Sequence, residues 1–164
     1  MKGFLAFLVL QTISVPAYSP PAALPEPAPD QLSLVVATTV SETDPQPLCD
    51  RPNCTSLFLG RYREAVTLAG PITPMDFVAR VEMGSPWIRP YRLALIVEQR
   101  PGKEPLVRAM TGFSQRSGKA CFQAGQLSGL RWSPEGPGIS REAGALCVSE
   151  TPQAGDAQGS NSGR

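Results

Sequence analysis

The stretch from Tyr91 to Gln99, YRLALIVEQ, is the longest uninterrupted run in the chain with the composition of a buried strand. Successive side chains of a strand point to opposite faces of a sheet. One face would carry Tyr91, Leu93, Leu95 and Val97, and the other Arg92, Ala94, Ile96 and Glu98. Since both faces are apolar in the middle, the pattern predicts a strand buried in the centre of the fold.

A tight turn follows this central strand. In Arg100–Lys103, RPGK, proline stands where φ must be near −65° and glycine where φ must be positive, as a type II turn requires. A second apolar run, Leu106–Met110, comes next. The two runs therefore predict a β-hairpin.

The rest of the chain also favours short strands, and its 18 prolines and 15 glycines argue against long helices. Period-two patterns or short apolar runs predict strands at Ser56–Thr67, Met75–Met83, Ala120–Gln123, Gln126–Trp132 and Ala145–Ser149. Gly60, inside the first of these, predicts a bulge or a sharp bend. We therefore expect a mainly β domain, a small OB-like Greek-key barrel, with a small β-sandwich as the alternative.

The N-terminal segment predicts export. Residues 1–17 combine Lys2 with an apolar run and with small residues, Val15 and Ala17, before a cut after Ala17, which is typical of a signal peptide. Residues 18–48 are predicted to be a Pro-rich linker with one candidate strand at 32–40, residues 49–150 the barrel domain, and residues 151–164 a disordered tail. We expect an exported protein, periplasmic or secreted, without an integral membrane span.

All four cysteines lie beyond the predicted cut: Cys49, Cys54, Cys121 and Cys147. An even count in an exported chain favours disulfides, and sequence proximity favours pairing Cys49 with Cys54 and Cys121 with Cys147, with the other two pairings open. No metal and no cofactor is expected, because the chain has neither C-x-x-C spacing nor any histidine.

The stretches LFLGRYREAV (57–66) and FVARVEMGSPW (77–87) resemble the opening of OB-fold modules of the netrin-like kind, in which a strand with an internal glycine precedes a charged, alternating strand. The resemblance covers about thirty residues and implies an OB-like barrel. Members of that group carry a cysteine near the mature N-terminus, whereas Cys49 lies well beyond the predicted cut. The chain as a whole resembles small exported bacterial proteins.

Catalysis has few candidates in this sequence. Without histidine, Ser-His-Asp and Cys-His arrangements are excluded. Carboxylate pairs remain, above all Glu82 and Glu98 on candidate neighbouring strands, with surface ion pairing as the alternative interpretation. We therefore keep a carboxylate-only hydrolase as one hypothesis and expect no catalytic site.

Arginines interleaved with aromatic residues are the strongest functional signal. Residues 54–132 hold 11 basic and five acidic residues. The candidate binding residues are Arg61, Arg63, Arg80, Trp87, Arg89, Tyr91 and Arg92. Arginine forks bind carboxylate, sulfate or phosphate, so these residues predict a noncatalytic module for an anionic glycan, a lipid headgroup or a protein partner of the cell envelope. Alternative hypotheses are an inhibitor-like protein-binding module without an anion site, or arginines that merely decorate the barrel surface.

Overall fold

The computed structural model describes residues 25–48, 55–83 and 90–149. Within these ranges the chain is mainly β, and none of its helices has the length and apolar character needed to cross a membrane. Two short 3-10 turns cover Pro29–Gln31 and Ala124–Leu127. The strands are β1 Leu32–Pro47, β2 Ser56–Ala69, β3 Phe77–Met83, β4 Arg92–Glu98, β5 Leu106–Gly112, β6 Lys119–Phe122, β7 Ile139–Glu142 and β8 Ala145–Ser149.

Five of these strands form a closed barrel in the order β1-β2-β3-β5-β4. All neighbouring pairs are antiparallel except β3 and β5, which run parallel and are joined only at Arg80↔Leu106 and Val81↔Val107. The predicted mainly β, OB-like Greek-key barrel is thus confirmed. The predicted hairpin is also present, since β4 and β5 are antiparallel and the Lys103 amide donates to the Arg100 carbonyl across the turn.

Strand β1 extends much further than its sequence suggests. Residues 32–38 pair with β4, and the pairing with β2 begins at Leu34. Residues 41–47, which the sequence pattern assigned to a linker, continue the pairing with β2. Prolines are tolerated there because no other described strand pairs with this part of β1 and would need their missing N–H groups. The barrel therefore begins at Leu32, ahead of the predicted domain boundary at residue 49.

The barrel interior follows the period of two. In β3, Phe77, Ala79, Val81 and Met83 are all buried. They pack in one cluster with Leu93, Leu95 and Val97 of the central strand, as the alternation predicted. Burying a large apolar side chain stabilises a fold by roughly 1.5–3 kcal/mol, so this cluster is a major source of the barrel's stability.

A second sheet explains why β4 is apolar on both faces. Strands β6, β8 and β7 form it in that order, and its Phe122, Leu146 and Val148 pack with Leu34 and Ile96 on the outside of the barrel. The other face of β4 thus contributes Ala94 and Ile96 to this outer cluster.

Two details of this region differ from the sequence predictions. Residues 126–132 do not form a strand: they continue from the 3-10 turn into irregular backbone, from which Leu127, Leu130 and Trp132 pack individually on the outer cluster. Strand β7, which composition did not predict, forms because β8 offers it a partner, with Ile139 opposite Val148.

Cys121 and Cys147 stand directly opposite each other on β6 and β8 and are joined by a disulfide. The predicted pairing of these two cysteines is confirmed. Cys49 and Cys54 lie outside the described residues, as do the predicted signal peptide and the predicted tail.

Gly60 has a different role from the predicted bend. The extra residue at this level lies on β1, between Thr39 and Ser41, whereas Gly60 itself pairs regularly with Glu42 and Ala79. A Cβ at Gly60 would lie 2.8 Å from the hydroxyl oxygen of Tyr62. The glycine therefore makes room for the Tyr62 ring, which is 1% exposed and stacks on Phe77 with ring centroids 4.9 Å apart.

The buried Tyr62 phenol predicts a loss of stability at alkaline pH. Burial, reinforced by the nearby Glu42 carboxylate, raises the pKa of Tyr62 above its ordinary value of 10.0. The folded state thus keeps its proton where the unfolded chain loses it, and the stability present below pH 10 falls as the pH rises beyond it. We expect the tyrosinate absorbance of Tyr62, obtained by subtracting the Tyr62→Phe variant, to appear together with unfolding. Ionisation of Tyr62 in the folded protein, well before unfolding, would contradict this.

Candidate functional site

The outside of β2 and β3 is where three of the predicted arginines meet. Because β2 and β3 are antiparallel neighbours with Arg61 opposite Val78 and Leu59 opposite Arg80, their outward side chains form one surface. We call this surface the β2–β3 face; it consists of Leu57, Leu59, Arg61, Arg63, Val78, Arg80 and Glu82. None of these residues belongs to either buried cluster, so the second sheet does not cover this side of the barrel.

The spacing of the three arginines follows from the register. Arg61 and Arg80 are diagonal neighbours on adjacent strands, a position that separates Cα atoms by roughly 7–8 Å. Arg63 is two residues from Arg61 on β2, roughly 7 Å along the strand. Arg61 and Arg63 are exposed, and Arg80 is half-buried beside Leu59. Arg61 thus has an arginine at roughly this distance on each side, Arg63 along β2 and Arg80 across on β3. Such a row attracts an anion that offers several oxygen atoms.

A shallow pocket of about 220 Å³ opens at the edge of this face. Its lining residues are Arg61, Arg63, Asp76, Phe77 and Val78. Asp76 is the single carboxylate of this lining, so the pocket keeps an excess of positive charge.

Arg92 lies apart from these three arginines and has a structural role. It stands on β4, on the far side of β1, and its Nη1 donates to the Thr38 hydroxyl at 3.2 Å and to the Glu64 carbonyl at 3.0 Å. Glu64 adopts a positive φ of 53°, and its carboxylate lies 3.9 Å from the same guanidinium. Arg92 therefore ties β4 to β2 across β1.

Of the two aromatic residues in the predicted site, Tyr91 belongs to the described part of the chain, and it does not lie on this face. Tyr91 precedes β4 and packs against the interior cluster, and its carbonyl accepts from the Thr39 amide at 2.9 Å. Trp87 and Arg89 lie outside the described residues. Within the described ranges, the predicted set thus reduces to Arg61, Arg63 and Arg80.

Glu82 and Glu98 do not share a site. They lie on β3 and β4, and β5 runs between those strands. Glu82 accepts a 2.6 Å hydrogen bond from the Thr55 hydroxyl, and Glu98 is paired with Arg108 at 2.6 Å. The prediction that their strands are neighbours is therefore wrong, because the Greek-key order inserts β5 between them.

A larger groove of about 430 Å³ lies where β3 and β5 diverge, and sequence reasoning did not find it. Its polar lining residues all make internal contacts: Thr55 with Glu82, Arg108 with Glu98, and the Gln126 amide with the Met110 carbonyl. No sequence signal marks the groove, because it results from a parallel pairing only two residues long. Since its polar groups are used within the fold, the groove offers less chemistry to a ligand than the β2–β3 face.

Metal chemistry has no candidate in the described ranges, which contain no cluster of three or more histidine, cysteine, aspartate or glutamate side chains able to hold an ion. No protein-family model matches the chain, and neither a curated protein sequence nor a solved structure is significantly similar to it. The function therefore has to be inferred from the geometry of the β2–β3 face.

Proposed function

We propose that this protein is a noncatalytic, exported binding module that holds an anionic ligand on the β2–β3 face. The observation that carries the proposal is the gathering of Arg61, Arg63 and Arg80 on the side of the barrel that the second sheet leaves uncovered. In five-stranded barrels of this topology, the face of strands 2 and 3 is a common binding surface for oligosaccharides and oligonucleotides.

The chemistry of the face suits sulfate, phosphate or carboxylate groups. A guanidinium presents planar N–H donors that pair with two oxygens at once. Leu59, half-buried and directly opposite Arg80, offers apolar surface on which an arginine stem can lie. With cations spaced by roughly 7–8 Å, the face fits a ligand with repeated negative charges better than a single small anion.

A noncatalytic role is supported by the lack of suitably placed general acids and bases. The chain has no histidine. Glu82 and Glu98, the strongest acid and base candidates, are held on separate strands by different partners. These observations favour binding without turnover on the β2–β3 face.

Export is supported by the Cys121–Cys147 disulfide together with the predicted signal peptide. Disulfides persist in oxidising compartments such as the periplasm and the extracellular space. The envelope and its surroundings are also rich in anionic glycans and lipids, the ligand class that the arginines would bind.

Replacing Arg61 and Arg63 together by serine is expected to weaken binding to a soluble polyanion, dextran sulfate, by roughly tenfold or more, because each charge-assisted hydrogen bond contributes about 1.5–3 kcal/mol. Titration calorimetry of residues 18–164 at low salt measures the affinity, which should fall steeply as salt is added. Arg116→Ser is the matched control, since this exposed arginine lies in the β5–β6 loop, off the β2–β3 face. Equal losses in both variants, or no binding by the unaltered protein, would refute the proposal.

A further inference from the structure

The β2–β3 hairpin concentrates the exposed apolar side chains of the described part of the chain. Six large hydrophobic residues are exposed in the described part of the chain. Four of them belong to this hairpin and its loop: Val66, Ile72, Met75 and Val78. Ile72 is 90% exposed and Met75 71% exposed. Single exposed hydrophobics are ordinary, but Ile72 and Met75 lie three residues apart on one loop, where they offer apolar surface to a partner.

The loop that carries Ile72 and Met75, residues 70–76, is held firmly at its base. The buried Ser33 hydroxyl donates to the Pro71 carbonyl at 2.8 Å, and the Thr73 amide donates to the Thr67 hydroxyl at 2.9 Å. Gly70 has a φ of +84°, and a Cβ there would overlap the Leu32 carbonyl oxygen.

Further along the loop, the Gln99 side chain donates to the Thr73 hydroxyl, and the Ala65 amide to the Met75 carbonyl. These contacts present the exposed side chains in a fixed position, which lowers the entropy lost when they are buried against a partner.

The arginines lie behind this apolar tip. Thr67, which anchors Thr73, is four residues from Arg63 along β2, roughly 13 Å. Met75 lies nearer to the arginines, because its carbonyl accepts from the Ala65 amide, two residues from Arg63. The 220 Å³ pocket places Arg61 and Arg63 beside Val78. This arrangement matches the layers of a bilayer surface, in which apolar acyl chains lie beneath anionic phosphates. A group inserted at this boundary reaches roughly 5–10 Å deep.

We propose that the anionic partner of the β2–β3 face is a lipid bilayer: Ile72 and Met75 insert among the acyl chains, and Arg61 and Arg63 contact the headgroup phosphates. This inference rests on the proposed anion-binding function and names its partner. Charge complementarity favours anionic lipid over a neutral surface, and the rigid loop gives the insertion a defined depth.

The test is co-sedimentation of residues 18–164 with phosphatidylcholine vesicles, prepared with and without phosphatidylglycerol. We expect binding that requires phosphatidylglycerol. The Ile72→Ser/Met75→Ser variant should lose roughly a hundredfold or more in partitioning, the order expected for removing two buried apolar side chains, while it still binds dextran sulfate. Arg61→Ser/Arg63→Ser should lose both activities. Val40→Ser/Leu48→Ser, at the other two exposed apolar positions, should keep both. Thermal unfolding checks that each variant is folded.

Each result that differs from these expectations contradicts a specific part of the proposals. If the unaltered protein binds dextran sulfate and no vesicle, the bilayer is not the partner and the proposed anion-binding function stands. If it binds neither, both proposals fail. Unchanged vesicle binding by Ile72→Ser/Met75→Ser would show that the tip does not insert, and equal binding to pure phosphatidylcholine would remove the role of charge.

Discussion

Replacing Arg108 by methionine is expected to lower the free energy of unfolding by about 3–5 kcal/mol, the usual cost of removing one partner from a buried ion pair. Arg108 Nε lies 2.6 Å from Glu98 Oε2, and the two side chains are 13% and 10% exposed. Without the guanidinium, the Glu98 carboxylate would remain in a water-poor site with its charge uncompensated. Urea denaturation followed by circular dichroism measures the loss.

Two further variants test whether the loss of stability comes from leaving a buried charge unpaired. The double variant Glu98→Met/Arg108→Met should recover most of the stability, because well-packed apolar side chains often replace a buried pair without loss. Lys119→Met breaks an ion pair of the same 2.6 Å length whose side chains are 28% and 48% exposed. It should cost far less stability than Arg108→Met, because solvent screens an exposed ion pair. If Lys119→Met were as damaging as Arg108→Met, burial would not be the reason for the larger effect.

Removing the Cys121–Cys147 disulfide with alanine at both positions is expected to cost about 3.5 kcal/mol, the chain-entropy value for the separation of 26 residues. The bond joins the facing residues of β6 and β8, the strands whose Phe122 and Leu146 cover the barrel. Denaturation in a buffer without reductant measures the loss. Cys121→Ala alone should cost nearly as much, because either substitution opens the same loop; a cost near half would show that the sulfur atoms stabilise by packing instead.

The strands of the barrel could be predicted where their pattern is local. In β3 the alternation alone identifies Phe77, Ala79 and Val81 as inward residues, because an extended chain turns each successive side chain to the opposite face. The second half of β1 could not be predicted this way. Its prolines and acidic residues are typical of a linker, and it is a strand only because β2 lies alongside it from Ser56 to Tyr62.

The sequence identified residues of the candidate site but not how they are arranged in space. The sequence identifies Arg61 and Arg63 as outward neighbours on one strand, but their approach to Arg80 depends on the register between β2 and β3. Arg92 belongs to the same arginine-rich stretch of sequence, but in the fold its guanidinium bonds to Thr38 and Glu64. Likewise, Glu98 finds its partner in Arg108, the extra residue at a bulge in β5, which no local pattern indicates.

The sequence alone indicated strands rather than helices, the inward side of β3 and β4, and the excess of positive charge in the barrel segment. These properties depend on neighbouring residues alone. The tertiary structure decided which strands meet: it closed the barrel through two parallel pairs of β3 and β5, placed the second sheet over β4, and left the β2–β3 face uncovered. Those choices depend on contacts between residues far apart in the chain, so the pattern of any single segment cannot specify them.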